Sequence, residues 1–138
     1  VQATKVAGLV CRWSLMIGFG LMVLMLIGTT PVAALLVPAA AVAQFGPAWT
    51  VAALFQPLAA LAFVTDGIHW GTGDFGYLRN AVFTATVTAG VVLLITEMVG
   101  VISLDFIWWC TGFWIVVRAG LGMARIWPGS RTGPLGGR

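Results

Sequence analysis

An all-α membrane protein with four transmembrane helices is predicted by three features of the sequence. Only 8% of the 138 residues are charged, about a third of the roughly 25% usual in soluble domains. Positions 13–65 hold no Asp, Glu, Lys or Arg, whereas an apolar run of about 18 residues already suffices to cross a bilayer. The basic residues fall at alternate connections. Lys5 and Arg12 precede the first apolar segment, Arg79 lies between the second and third, and Arg118, Arg125, Arg131 and Arg138 close the chain, while 28–46 and 97–105 hold no Lys or Arg. That alternation places both termini and the 71–79 loop on the cytoplasmic side of a cell membrane. Four such spans use up nearly the whole chain, so 1–138 forms one membrane region with no room for a soluble domain of about 50 residues.

The first span is expected over about 9–28. Its centre, 15–27, contains no polar side chain, Arg12 can snorkel from its inner end and Trp13 suits the interface. Gly28–Thr29–Thr30–Pro31 is expected to stop this helix and start another, with Thr30 as the cap and Pro31 at the first helical position. Residues 31–70 cannot be one straight helix, because at 1.5 Å per residue they would reach about 60 Å, twice the hydrocarbon thickness. Pro38 and Gly46–Pro47 offer breaks, giving a short segment near the outer surface over 32–45 and a second span over 47–70. Gln56–Pro57 falls near the middle of that span and is expected to kink it by freeing a carbonyl four residues back. A glycine-rich turn over 71–76 leads to a third span over 80–97. Residues 98–101 connect it to a fourth over 103–125, which carries Trp108, Trp109 and Trp114, and a flexible tail is expected over 128–138. The chain opens on Val1 and reads as a piece of something longer.

Asp66 is the most informative side chain, since a carboxylate within a span is costly and points to function, such as binding and releasing a proton. The competing reading puts Asp66 at the inner end of its span, in reach of headgroup water. Gln56 could line a polar cavity beside the Pro57 kink, or simply bond a neighbouring helix. His69, three residues after Asp66, reads more readily as an interfacial histidine beside Trp70 than as a proton relay. Gly67 and Gly71 have the GxxxG spacing that lets helices pack closely. Asp74 and Arg79 read as solvated loop residues, Glu97 and Asp105 as outer-surface acids, and Arg118 as snorkelling or pairing with a headgroup. Cys11 and Cys110 lack a CxxC partner, and with one histidine in the chain no metal or other cofactor is expected. There is no catalytic triad or phosphate loop, so an enzyme is not expected. Without a basic helix interleaved with aromatics, the excess of seven Lys/Arg over four Asp/Glu is read as membrane orientation and not as affinity for nucleic acid.

The stretch 56–79, QPLAALAFVTDGIHWGTGDFGYLR, resembles the tenth-helix signature of the DinF-like branch of the multidrug and toxic compound extrusion (MATE) family, of the form QPLNALAFVxDGxxxGxxDFxYLR. Gln56, Pro57, Asp66, Gly67, Gly71, Asp74 and Arg79 are among the matches, and the last span, with Trp108, Arg118 and Arg125, is similar to that branch's closing helix. The resemblance implies helices nine to twelve of a twelve-helix transporter, part of its C-terminal lobe. Such proteins export small organic, often cationic, compounds against proton or sodium entry. It implies a missing N-terminal lobe as partner, and it places Asp66 and Gln56 on a helix that helps to form the lobe's cavity. Two departures stand out: Ala59 replaces the usual asparagine, and His69–Trp70 replaces smaller or aliphatic residues. The alternative is a self-standing four-helix membrane subunit or a small dimeric multidrug transporter. The latter fits less well, because such exporters carry an acid in the first helix and 13–28 has none.

Overall fold

The computed structural model describes residues 2–127 and 133–135; the rest of the tail expected to be flexible, 128–132 and 136–138, lies outside the described residues. Those residues form α1 (Gln2–Ile27), α2 (Thr29–Leu36), a 3-10 turn (Ala39–Ala41), α3 (Val42–Leu54), α4 (Gln56–Gly71), α5 (Phe75–Val99) and α6 (Leu104–Ile126). The all-α membrane class is as predicted. Helices α1, α5 and α6 are each long and apolar enough to cross a membrane, and 39–54 with α4 makes a fourth such unit, bent by 47°.

That bend falls at Phe55, beside the predicted Gln56–Pro57 kink. Pro57 has no N–H to give the Ala53 carbonyl, so the helical ladder is interrupted there. The N–H of Phe55 turns back to the oxygens of Ala53 and Val51, and Gln56 Nε2 donates to the Ala52 oxygen at 3.3 Å. The knee is packed on both sides. The Phe55 ring fills the space that a side chain at Gly112 of α6 would occupy, and Trp109 meets the same ring edge-on at 5.7 Å between centroids. On the other side Pro57 rests on Gly18 of α1, where an added Cβ would stand 2.6 Å from the proline Cα.

Several boundaries differ from the sequence expectation. Helix α1 starts at Gln2, so Lys5 and Arg12 lie on it and not ahead of it. Thr30 does not cap α2; Gly28 holds the cap position without a side-chain bond, while Thr29 Oγ1 folds back to the carbonyls of Met25 and Leu26. Gly46–Pro47 does not break the chain either. Pro47 lies inside α3, near its start, where its missing N–H removes a single intrahelical bond. The real break precedes it at Val37–Pro38. Trp49 Nε1 donates to the Met25 oxygen at 2.8 Å, tying α3 to the end of α1. Helix α5 extends beyond 80–97 at both ends and stops at Gly100, whose φ of 75° is left-handed. The N–H groups of Gly100 and Val101 cap the carbonyls of Glu97 and Thr96, a glycine-dependent stop. Ser103 caps α6, its hydroxyl accepting from the Phe106 N–H at 3.4 Å.

The interior is built of small side chains: Ala7, Ala53, Ala62, Ala81, Ala85 and Ala119 are buried, while Leu24, Phe63, Phe83, Leu94 and Met98 are exposed. This inverts the soluble pattern, as expected where lipid is the solvent and helices are held by close approach. Helix α4 lies between α1 and α6, and α6 also contacts α3 and α5.

Candidate functional site

Helix α4 also packs closely on α6. Thr65 is fully buried, and an added Cβ at Gly122 would lie 2.5 Å from its hydroxyl. The Thr65 hydroxyl is satisfied locally, donating to the Ala62 oxygen at 2.9 Å. Two polar clusters flank this contact. Partners rise together along both helices, Asp66 with Arg118 and His69 with Gly122, and Asp74 just past the end of α4 meets Arg125, so α4 and α6 run parallel.

In the first cluster Arg118 Nη2 donates to Asp66 Oδ2. The Asp66 side chain is 11% exposed and that of Arg118 15%, so two charges that would each be costly in an apolar medium offset one another. The guanidinium also stands 4.8 Å from the Trp114 ring centroid and 5.4 Å from that of Phe63, within cation–π range. Arg118 Nε is buried and has no hydrogen-bond partner among the described residues. The pair opens onto a cleft of about 600 Å³ between α4, α5 and α6, lined also by Trp70, Phe83 and Arg79. Two sequence expectations are corrected here. Asp66 does not reach out to headgroup water, and Arg118 does not snorkel, because each is the other's counter-ion.

The second cluster gathers where the chain turns from α4 to α5. Gly73, at φ 73°, lets the chain reverse and sets the Asp74 N–H against the His69 oxygen at 2.9 Å. Asp74 Oδ2 then accepts from Arg125 Nε at 3.1 Å and lies 3.3 Å from His69 Nδ1. On its other side His69 Nε2 is 3.4 Å from the Gly122 oxygen. Tyr77 donates its hydroxyl to the Leu121 oxygen at 2.8 Å and lays its ring 4.8 Å beneath the Arg125 guanidinium. The hydrogen bond from Arg125 holds the Asp74 carboxyl below the ordinary carboxylate range, helped by the positive charge of Arg125 and, less, by His69, and opposed by burial. Asp74 is therefore not the solvated residue expected, and His69 is fully buried within the bundle. Arg79 does remain exposed and, among the described residues, bonds its neighbour Asn80.

The remaining sequence candidates fall elsewhere. Gln56 and Pro57 form the knee at the start of α4, ten residues from Asp66, or about 15 Å of helix rise; the Gln56 amide is engaged with the backbone. Gly67 and Gly71 do not serve close packing. An added Cβ at either meets nothing within 4 Å, and the tight approaches are made by Gly18, Gly112 and Gly122. Sequence reading missed Thr65, Tyr77 and the pairing roles of Arg118 and Arg125. A signal did exist: Arg118, Gly122 and Arg125 share one face of a helix at four- and three-residue spacing, matching Asp66 and His69 on another. Among the described residues no group of three or more His, Cys, Asp or Glu is placed to hold a metal ion.

Two plant proteins contain a similar segment. Over 80 residues the chain is 39% identical to Protein DETOXIFICATION 42 and 35% identical to Protein DETOXIFICATION 43, both of Arabidopsis thaliana. The matches cover 57% of this chain but only 15% and 14% of those relatives. No family profile matches the chain, and no solved structure does. The two matches bear out the resemblance to the multidrug and toxic compound extrusion family.

Proposed function

We propose that this chain, similar over a segment to proteins of the multidrug and toxic compound extrusion family, forms the C-terminal part of a DinF-like efflux transporter. It supplies helices nine to twelve of a C-terminal lobe, with both termini cytoplasmic. An N-terminal lobe completes the cavity through which a small organic compound is exported against proton or sodium entry. The observation that supports this most directly is the Asp66–Arg118 pair, buried between two helices at the edge of an open cleft.

The chemistry of that pair suits a cation-coupled step. A carboxylate in a low-dielectric setting keeps its charge only while a cation neutralises it. Arg118 supplies that cation at rest. A proton or sodium ion arriving from the cleft can take its place on Asp66, and the displaced guanidinium stays against Trp114 and Phe63, whose ring faces accept positive charge. Occupancy of Asp66 thereby decides whether α4 and α6 are joined across this level. The two aromatic walls offer apolar contact to an organic substrate.

The test is an efflux assay on the whole transporter containing this segment. Asp66→Asn removes the exchangeable charge and is expected to abolish coupled efflux, whereas Glu97→Gln, at an exposed position, leaves it near wild type. Equal, near-wild-type drug resistance in both variants would remove Asp66 from the mechanism.

A further inference from the structure

The chain's single histidine is fully buried in a setting that offers it acceptors and no donors. On one side Nε2 faces the Gly122 carbonyl oxygen at 3.4 Å. On the other, Nδ1 lies 3.3 Å from Asp74 Oδ2 and has no hydrogen-bond partner of good geometry. A carbonyl has no hydrogen to give, and neither does Asp74 while Arg125 keeps it ionised. A neutral imidazole carries one N–H and one bare nitrogen. Whichever tautomer it adopts, one ring nitrogen meets an acceptor lone pair to lone pair. Only the ring with hydrogens on both nitrogens has one to offer each neighbour, Nδ1 standing beside Asp74 without yet being aligned on it.

We propose that His69 is a proton-binding site that latches α4, α5 and α6 together around the 72–74 turn. With the proton bound, the ring donates to Gly122 of α6 and to Asp74 at the start of α5, so one side chain of α4 spans both neighbours. Without it the ring keeps a single bond, and the Asp74 side is held by Arg125 alone.

The charges around the ring fit this role. Asp74 is the anion that favours the bound proton, and Arg125, which shares the same carboxylate oxygen at 3.1 Å, is the cation that opposes it. Tyr77 stands 5.3 Å from the imidazole, centroid to centroid, and presents its ring to both cations, its hydroxyl being engaged elsewhere. The Asp66–Arg118 pair is one turn away and internally neutral. From α1, the cations Lys5 and Arg12 are exposed and Cys11 is buried but uncharged; α3 carries no charged residue. The inference rests on the ring and its neighbours, not on the transport reading, and can fail or stand without it.

Because the chain holds one histidine, labelling it with ¹⁵N gives one pair of ring-nitrogen signals from the chain in lipid nanodiscs. At pH 6 both nitrogens are expected to carry hydrogens. Asp74→Asn is expected to lower the doubly protonated fraction, with the ratio of the two ring forms changing about tenfold or more, the scale set by removing one adjacent opposite charge. Arg125→Gln is expected to keep the doubly protonated form to higher pH than wild type. A wild-type ring with one hydrogen at pH 6, or a fraction unchanged by Asp74→Asn, overturns the proposal. Should Asp74→Asn lose its helical circular dichroism, Arg125→Gln decides: a ring that loses its second hydrogen at the same or lower pH than wild type overturns it as well.

Discussion

Arg118 illustrates how much of the site depends on one side chain answering another. Truncating it leaves Asp66 buried without a counter-ion, and breaking a buried pair in this one-sided way costs about 3–5 kcal/mol, whereas removing both partners costs far less. Arg118→Ala is therefore expected to be the more damaging variant in thermal or denaturant unfolding in detergent, with Asp66→Ala/Arg118→Ala recovering most of the loss. A double variant no more stable than the single would show that the pair holds nothing. Asp74 makes a second, pH-dependent prediction. Its carboxyl is held below the ordinary range in the folded chain, so its stabilising effect is fully present above its unfolded value of about 3.9 and is lost as pH falls through the lower folded value. The unfolding temperature should therefore lose this contribution only below about pH 4, a loss missing from Asp74→Asn. Helical spacing put the candidate partners on matching faces but did not pair them. Asp66 and Arg118 are 52 residues apart, and a charge in an apolar helix announces that it needs a partner without saying which one.

Among elements, α4 and α6 show that the right motif can lie on the wrong face. The GxxxG spacing of Gly67 and Gly71 was visible, but these residues point into open space, and it is Gly122 that admits Thr65. A glycine pattern records that a helix surface is smooth, whereas which surface meets a neighbour depends on rotation about the axis, set here by Thr65, Asp66 and His69. Gly122→Ala should force α4 and α6 apart and cost about 1–3 kcal/mol, the usual penalty for overpacking. Gly67→Ala should stay within about 0.5 kcal/mol of wild type, as for a substitution touching nothing. Unfolding of both variants in the same detergent checks the contrast, and equal losses would mean that the α4–α6 approach is not as close as described. The kink, by contrast, was fully legible, because a proline acts on its own carbonyl ladder and needs no distant partner to do so.

For the molecule as a whole, the membrane class came through clearly because it depends on bulk composition, to which every residue contributes. What composition could not supply was the division of 31–70: the short outer segment and the second span share an Ala/Val-rich texture, and proline marks breaks without ranking them, so Pro47 was overrated and Pro38 proved decisive. The break at Phe55 has one more consequence. Its ring is seated in the hollow left by Gly112, with Trp109 closing the rim, so the two arms of the bent helix share a pivot anchored to α6. A lever held in a socket can swing but not slide. Phe55 thus joins the 39–54 arm, α4 and α6 at a single packed joint, so a change at any one of the three is felt by the other two.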